Sequence, residues 1–235
     1  MTFLLAQQGG TCYGPHVSAR KADDEGVFTD RRDAGARLAA LVADRIDPPA
    51  VVLGIPRGGV IVAERVAAVL GWPLDLVVTK KLGAPGNPEL GIGALAAGVR
   101  VLDREVIAAL GISPAWIEEE SARVELEVER RTTTFRADAR PPEVTGRCAV
   151  VVDDGVATGG TARAAGQWAR AHGASRVVLA VPVAPPDVAQ RVDDAFDAVL
   201  VLEQPAPFWA VGQSYEDFDQ VTDQEVRAVM EARSA

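Results

Sequence analysis

Five short apolar runs, separated by longer helical patterns, constrain the fold of this chain most strongly. The runs are AVVLGI, LDLVVT, CAVVV, RVVLAVPV and DAVLVL, at residues 50–55, 74–79, 148–152, 176–183 and 197–202. Such runs are typical of strands that are buried on both faces, and helices between them make the connections of a parallel sheet. We therefore predict an α/β fold with three layers, in which helices cover both faces of a mainly parallel central sheet.

The stretches between the runs show helical patterns and capping signals. We predict helices over residues 33–44, 60–70, 114–136, 160–172 and 221–232, and a further helix after Pro186. Asp33 is the expected N-cap of the first helix, and Ser113 and Pro114 are the expected N-cap and first residue of the long one. The long helix carries one stripe at helical spacing, formed by Ile117, Ser121, Val124 and Val128.

The first 26 residues differ in character from the rest of the chain. They contain Gly9, Gly10, Gly14 and Pro15 and show no clear apolar period. From residue 27 onward, strand and helix patterns alternate. We predict an N-terminal arm over residues 1–26, flexible or partly ordered, and one domain over residues 27–235.

Composition and charge disfavour several classes of function. The net charge of -9 and the pI of about 4.8 argue against nucleic acid as a partner, but they leave room for a small phosphorylated ligand. No run of 18 apolar residues exists and the start lacks a basic signal region, so we expect no membrane span and a cytoplasmic protein. Cys12 and Cys148 are far apart, which indicates reduced thiols. His16 and His172 are the only histidines, which disfavours a histidine metal site or a Ser-His-Asp triad.

The segment VVVDDGVATGGT, residues 150–161, carries the clearest chemical signal. Asp153 and Asp154 leave a buried strand as adjacent carboxylates, which can accept hydrogen bonds from sugar hydroxyls and hold a hydrated Mg²⁺. The TGGT that follows opens a helix, so its glycines, its hydroxyls and the helix N-terminus can bind a phosphate. Because ligands bind at the carboxyl ends of the strands in such sheets, the segment predicts a site for a phosphorylated sugar. The alternative is an acidic turn followed by a helix cap.

The same segment closely resembles the phosphoribosyl-pyrophosphate motif of type I phosphoribosyltransferases. The resemblance implies that Asp153 and Asp154 bind the ribose 2′- and 3′-hydroxyls and, through water or the donor, Mg²⁺. It also implies that the 5′-phosphate is wrapped by Ala157, Thr158, Gly159, Gly160 and Thr161. The family's 6-oxopurine enzymes usually carry an acid where this chain has Ala157, so the motif is more similar to the adenine or orotate type.

A second glycine loop, GIPRGGV at residues 54–60, also lies between a predicted strand and a predicted helix. Arg57, Gly58 and Gly59 suit an anion cradle, and the loop resembles the pyrophosphate loop of the same family. On its own the loop would be interpreted as a plain glycine turn. Together with the 150–161 segment it is better interpreted as a second anion site.

A third element, TKKLGAPGNPELGIGAL at residues 79–95, is rich in glycine and proline. We expect a long loop over residues 80–93 and a strand pair within residues 93–102. The resemblance implies a flexible loop that closes over the leaving pyrophosphate, with Lys80 or Lys81 neutralising the developing charge. Glu89 is a candidate contact to the nucleophile or to magnesium. The alternatives are a solvated lysine pair and a surface glutamate.

From Phe28 onward the chain resembles a bacterial family of phosphoribosyltransferase-like proteins whose acceptor is not established. The tail PFWAVGQSYEDFDQVTDQEV, which holds Phe208, Trp209, Tyr215 and Phe218, contributes to this resemblance. We expect these rings to pack as a small hood or lid on the sheet, and stacking of Phe208 or Trp209 on a base is the alternative. The family is commonly dimeric, which implies a homodimer.

The resemblance implies a transferase that uses phosphoribosyl pyrophosphate and Mg²⁺. It would transfer a 5-phosphoribosyl group to a nitrogenous base or a related small-molecule nucleophile and release pyrophosphate. The candidate catalytic residues are Arg57, Lys80, Lys81, Asp153 and Asp154. Two alternatives stay open: a non-catalytic protein that senses phosphoribosyl pyrophosphate or a nucleotide, and a transferase that acts on water or phosphate.

Overall fold

Two sheets are present in the computed structural model, which describes residues 16–19, 27–136 and 142–234. Their strands are β1 His16–Ala19, β2 Ala50–Gly54, β3 Leu74–Leu76, β4 Thr79–Ala84, β5 Asn87–Ala96, β6 Val99–Leu102, β7 Cys148–Val152, β8 Arg176–Val183 and β9 Ala198–Glu203. The central sheet has the order β1-β9-β8-β7-β2-β3, and all its neighbouring strands are parallel. Strands β4, β5 and β6 form a separate antiparallel sheet. The predicted parallel central sheet is therefore confirmed.

Helices cover both faces of the central sheet. The helices in the described part of the chain are α1 Arg31–Ala43, α2 Gly58–Leu70, α3 Arg104–Leu110, α4 Pro114–Phe135, α5 Gly160–Ala171, α6 Val188–Arg191 and α7 Asp223–Ser234. Helices α1 and α2 pack against one face together with Val150, whereas α5 packs against the other face together with Val151. Adjacent residues of a strand point to opposite faces. The runs are apolar throughout because each face of the sheet meets a helix layer.

Residues 80–93, predicted as a long loop, instead form most of a hairpin between β4 and β5. The strands are joined at Pro85 and Gly86, and Gly86 has φ of +73°, which suits the third position of a type II turn. Leu82 and Ile92 are buried and pack in the core that α4 and α7 share with this hairpin. The loop prediction was wrong because only one Pro-Gly pair makes the turn. The strand pair predicted within residues 93–102 is confirmed as β5 and β6.

Helix α1 begins earlier than predicted. Its N-cap is Asp30, whose side chain accepts hydrogen bonds from the backbone N–H groups of Arg32 and Asp33. The predicted cap, Asp33, lies in the first turn and accepts a hydrogen bond from the Thr29 N–H. The sequence DRRD contains two acids that could each cap a helix, and the prediction of Asp33 was wrong because Asp30 is the cap.

The long helix α4 confirms the prediction, with Ser113 as its N-cap and Pro114 in its first turn. The predicted stripe of Ile117, Ser121, Val124 and Val128 is buried. Helix α3, by contrast, was not predicted. The strand predicted over residues 74–79 is shorter in the structure, where β3 ends at Leu76.

Strand β1 lies in the stretch that was predicted as an arm. It pairs with β9 at the edge of the central sheet, so part of that stretch is ordered. The remainder of the arm, residues 1–15 and 20–26, lies outside the described residues. Within the described part of the chain, no helix is both long enough and apolar enough to cross a membrane.

Candidate functional site

Two loops leave the central sheet side by side, at the carboxyl ends of β2 and β7. Gly54 and Val152, the last residues of these strands, are paired in register. The Ile55 N–H donates to the Val152 carbonyl at 2.9 Å, which ties the two loops together at their origin. One loop leads into α2 and the other into α5. Ligands bind at this end of the sheet in folds of this class, so the topology brings both predicted glycine loops to one candidate site.

Gly58 and Gly59 pack directly against the paired acids. A Cβ atom at Gly58 would lie 1.8 Å from Oδ2 of Asp154, and one at Gly59 would lie 2.7 Å from Cα of Asp153. Neither glycine has a positive φ, so lack of space rather than backbone conformation requires glycine here. The structure thus brings together four of the predicted residues, from segments about a hundred positions apart.

The two acids have different electrostatic surroundings. Burial raises the pKa of the Asp153 carboxyl well above its usual range, and the neighbouring charge of Asp154 raises it further. The Asp154 N–H donates to Oδ1 of Asp153 at 2.9 Å. The Asp154 carboxylate pairs with Arg31, whose Nε donates to Oδ2 at 2.8 Å. The site therefore combines one carboxyl that is protonated more easily than an exposed aspartate with one that is held in an ion pair.

Arg31 and Tyr215 are site residues that the sequence analysis missed. Arg31 is the first residue of α1, and its guanidinium lies 3.9 Å from the centroid of the Phe218 ring. The Tyr215 hydroxyl donates to the Asp154 carbonyl at 2.6 Å, and burial raises the tyrosine pKa, so the hydroxyl stays a neutral donor. Both contacts join distant segments, so no local spacing reveals them. The one available signal was a positive residue at the first position of a helix, where the helix dipole disfavours it.

The predicted phosphate wrap is partly open to solvent at the start of α5. Ala157 and Thr158 are exposed, Gly159 is buried and has φ of +83°, and the helix begins at Gly160. Thr161, in the first turn, is half-buried. No described side chain caps this helix end, so its first backbone N–H groups remain available to an anion. Backbone donors and partial exposure at this helix end suit an anion, and phosphate binding by the wrap stays a prediction.

Helix α2 begins in the same way beside it. Arg57 is its N-cap residue, and among the described residues no side chain caps this end. The peptide bond between Pro56 and Arg57 is cis. Nη1 of Arg57 lies 3.5 Å from Oδ1 of Asp223, the first residue of α7, and the arginine side chain is partly exposed. A second helix N-terminus with an adjacent guanidinium therefore lies next to the acids.

Lys80 and Lys81 lie on strand β4, which corrects the prediction that they precede a mobile loop. The Lys80 ammonium pairs with Glu127 of α4, and the Lys81 ammonium donates to the backbone carbonyl of Glu89. These contacts hold both lysines within the hairpin and α4, and neither contact involves the glycine loops. The predicted roles of the lysines and of the Glu89 carboxylate in catalysis stay predictions.

The aromatic tail packs onto the sheet, as expected for a hood. The Tyr215 ring lies 5.3 Å from that of Phe28 and 4.8 Å from that of Phe218, measured between centroids. Phe208 is half-buried against the same core, whereas Trp209 is 81% exposed. Stacking of Phe208 or Trp209 on a base stays a prediction.

Asp153 and Asp154 together offer too few ligands to hold a metal ion alone. Within the ranges that the structure describes, no three His, Cys, Asp or Glu side chains are grouped to bind one. Mg²⁺ prefers an octahedral set of oxygens and usually keeps water or substrate phosphates among its ligands. The residues therefore fit Mg²⁺ if most of its ligands come from water and from a phosphorylated donor.

Comparison with known proteins agrees with this geometry. A family model described as "Phosphoribosyl transferase domain" matches residues 29–217, a range that contains both glycine loops. Two curated Mycobacterium tuberculosis proteins, "Putative phosphoribosyl transferase Rv0571c" of strain H37Rv and MT0597 of strain CDC 1551, are 47% identical to this chain over 206 residues. The match covers 87% of this chain and 46% of each relative, so the chain spans about half the length of the curated relatives it matches.

The solved structures include a relative of similar but smaller size. The crystal structure of TT1426 from Thermus thermophilus is 43% identical and has a TM-score of 0.74. The match covers 87% of this chain and 97% of that one. The likeness therefore extends over nearly the whole of the smaller relative.

Proposed function

The chain belongs to the type I phosphoribosyltransferase family, and from this premise we propose that it transfers a 5-phosphoribosyl group from phosphoribosyl pyrophosphate. The acceptor would be a nitrogenous base or a related small nucleophile, and pyrophosphate would be released. The observation that supports this best is the packing of Gly58 against Asp154, which is so close that no methyl group fits between them. Near that contact lie two helix N-termini that no described side chain caps.

Each part of the donor has a chemically suitable partner. Asp153 and Asp154 would bind the ribose hydroxyls, because carboxyl oxygens accept hydrogen bonds and a protonated carboxyl can also donate one. The 5′-phosphate would lie on the N-terminus of α5, wrapped by Ala157, Thr158, Gly159, Gly160 and Thr161. The pyrophosphate would lie at the N-terminus of α2, on Arg57 and the N–H groups of Gly58 and Gly59.

Catalysis in this proposal is mostly placement and electrostatics. The bond between the anomeric carbon and a pyrophosphate oxygen breaks, its electron pair leaves with the pyrophosphate, and the nucleophile's lone pair forms the new bond to carbon. Positive charge grows on the sugar and negative charge on the leaving group. Asp154 would stabilise the positive charge on the sugar, and Arg57 with the α2 N–H groups would stabilise the negative charge on the pyrophosphate. Mg²⁺, when bound with the pyrophosphate, would offset part of the leaving-group charge.

The acceptor is constrained by one departure from the family pattern. Ala157 is exposed at the start of the wrap, where the family's 6-oxopurine enzymes usually carry an acid. Alanine can neither accept a proton nor hydrogen-bond a purine through its side chain. We therefore propose an acceptor other than hypoxanthine or guanine. The homodimer and the cytoplasmic location stay predictions.

A second candidate function is a non-catalytic sensor of phosphoribosyl pyrophosphate or a nucleotide. The engagement of Lys80 with Glu127 and of Lys81 with the Glu89 carbonyl favours it, since neither ammonium contacts the pyrophosphate side of the site in this structure. A sensor would bind the donor with a similar affinity but would release no pyrophosphate with any acceptor.

The proposal is tested by incubating the chain with phosphoribosyl pyrophosphate, Mg²⁺ and a panel of bases and amines. Mass spectrometry would identify the ribosylated product, and a coupled assay would measure pyrophosphate. Asp154→Asn should lower donor affinity at least about tenfold, because a charged hydrogen-bond acceptor is lost. Asp47→Asn changes an exposed acid just before the opposite end of β2 and serves as the matched control. Donor binding with equal affinity by wild type and Asp154→Asn would contradict the proposed site.

A further inference from the structure

We propose that Arg31 is a positioning residue, which holds the Asp154 carboxylate in the orientation that binds a ribose hydroxyl and so makes the site selective for the hydroxyl-bearing sugar. The inference rests on the proposed function, because it concerns the sugar of the same donor. It adds a residue of α1, far from both glycine loops in sequence, to the determinants of donor specificity.

Arg31 engages one oxygen of Asp154 and leaves the other outside the ion pair. Nε donates to Oδ2 at 2.8 Å, and the two side chains are only 12% and 17% exposed. A charge-assisted hydrogen bond in such a shielded position restricts the orientation of the carboxylate. We infer that Oδ1 then points in a preferred direction, which lets it accept a hydrogen bond from a sugar hydroxyl and so distinguish a hydroxyl from a hydrogen atom.

Arg31 is itself held in place by the tail. Nη1 donates to the Asp219 carbonyl at 2.8 Å, and the guanidinium lies over the Phe218 ring at 3.9 Å from its centroid. An arginine side chain that is fixed on three sides has already lost most of its rotamer freedom before a ligand arrives. The site is therefore preorganised, and ligand binding does not have to order this side chain.

Helix stability does not explain an arginine at this position. Arg31 begins α1, where the partial positive charge of the helix end disfavours a cation. Its neighbour Arg32 projects to the surface, where its side chain is 60% exposed and pairs with Glu64. The two consecutive arginines thus have different roles, and Arg32 offers a matched control for the loss of one positive charge at the same helix end.

Arg31 also supplies the positive charge that is in contact with Asp154. Without it, Oδ2 of Asp154 would lose its ion-pair partner, and the carboxylate would be less restricted in its orientation. A Cβ at Gly58 would lie 2.8 Å from Nε of Arg31, so the ion pair is packed against the start of α2.

The test measures sugar selectivity by calorimetry in the presence of Mg²⁺. The ligands are ribose 5-phosphate, its 2-deoxy and 3-deoxy analogues, inorganic pyrophosphate and phosphoribosyl pyrophosphate. The proteins are the wild type, Arg31→Met, Arg31→Lys and Arg32→Met. We expect Arg31→Met to lower the preference for ribose 5-phosphate over at least one deoxy analogue about tenfold, while pyrophosphate affinity changes less than about twofold. Arg31→Lys should restore part of the preference, and Arg32→Met should match the wild type.

The outcomes separate this inference from the function on which it rests. If the wild type binds phosphoribosyl pyrophosphate but Arg31→Met keeps the full preference for ribose 5-phosphate, the inference alone is overturned. If the wild type binds none of the phosphorylated sugars, the proposed function is overturned as well. A purely structural role for Arg31 would lower all affinities together, pyrophosphate included, and would also overturn the inference. Should Arg31→Met not fold, the same ratios measured on Arg31→Gln and Arg31→Lys decide between these outcomes.

Discussion

Replacing Gly58 with alanine probes the contact on which the site is built. The added methyl carbon would lie 1.8 Å from Oδ2 of Asp154, 2.6 Å from its Cγ and 2.8 Å from Nε of Arg31. Real Cβ atoms do not approach other atoms closer than 3.0 Å, so the carboxylate would have to withdraw by more than about 1 Å. A shift of that size breaks the 2.8 Å hydrogen bond between Arg31 and Asp154.

The expected effects follow from overpacking and from the broken ion pair. Overpacking of a tight position costs about 1–3 kcal/mol. Because both charged partners remain and can find water, we expect the free energy of unfolding to fall within that range for Gly58→Ala and not by the full cost of an orphaned buried charge. Displacing the sugar-binding carboxylate should also weaken donor binding about 10- to 100-fold.

The assay combines chemical unfolding without ligand and calorimetry with phosphoribosyl pyrophosphate and Mg²⁺. Gly71→Ala is the control, because it lies at the other end of α2, has open space around its Cβ and has φ of +67°. It should cost about 1 kcal/mol of stability through backbone conformation and leave donor affinity unchanged. If Gly58→Ala bound the donor as tightly as Gly71→Ala does, the close approach of the two loops would not matter for binding and the reasoning would be refuted.

Three further predictions concern single groups. Asp153→Asn should raise the melting temperature of the ligand-free protein, and the gain should grow as pH rises. Burial raises the pKa of Asp153, so the stability of the wild type falls as pH rises from the ordinary aspartate pKa to the raised one, whereas the variant has no such loss. A gain independent of pH would contradict this. Tyr215→Phe should lower the free energy of unfolding in urea by about 1 kcal/mol, because the Asp154 carbonyl loses its donor; an unchanged midpoint would count against that bond. Burial raises the pKa of Cys148 to about 11, so at pH 8 its alkylation, followed by peptide mass spectrometry, should be at least about 100-fold slower in the folded than in the unfolded chain; equal rates would refute its burial.

The central sheet could be predicted because its signal is local. Each strand of β2, β7, β8 and β9 is a continuous apolar run, and a run that is apolar at both odd and even positions has to be buried on both faces. The glycine loops were found for a similar reason, since the acids and the TGGT stand next to each other in the sequence. Residues that are neighbours in the sequence stay neighbours in the fold, so a motif of this kind can be recognised from the sequence.

The features that could not be predicted depend on contacts between distant segments. Arg31 and Asp154 are 123 positions apart, and Tyr215 reaches the same residue from 61 positions away on the other side. The hairpin of β4 and β5 was missed because glycine and proline signal both turns and loops, and packing under α4 and α7 decided between them. The places of Arg31 and Tyr215 in the site therefore depend on tertiary contacts, which the sequence pattern does not show.

A crystal structure with phosphoribosyl pyrophosphate and Mg²⁺ tests the central claim most directly. The account predicts the sugar hydroxyls within hydrogen-bond distance of Asp153 and Asp154, and the 5′-phosphate on the backbone N–H groups at the start of α5. A cleft of about 700 Å³ on the other side of Arg31, lined by parts of α1, α2 and α7 and by Asp217, Asp219, Gln220 and Val221, offers another place for a ligand. Donor bound there, with the two glycine loops empty, would contradict the account.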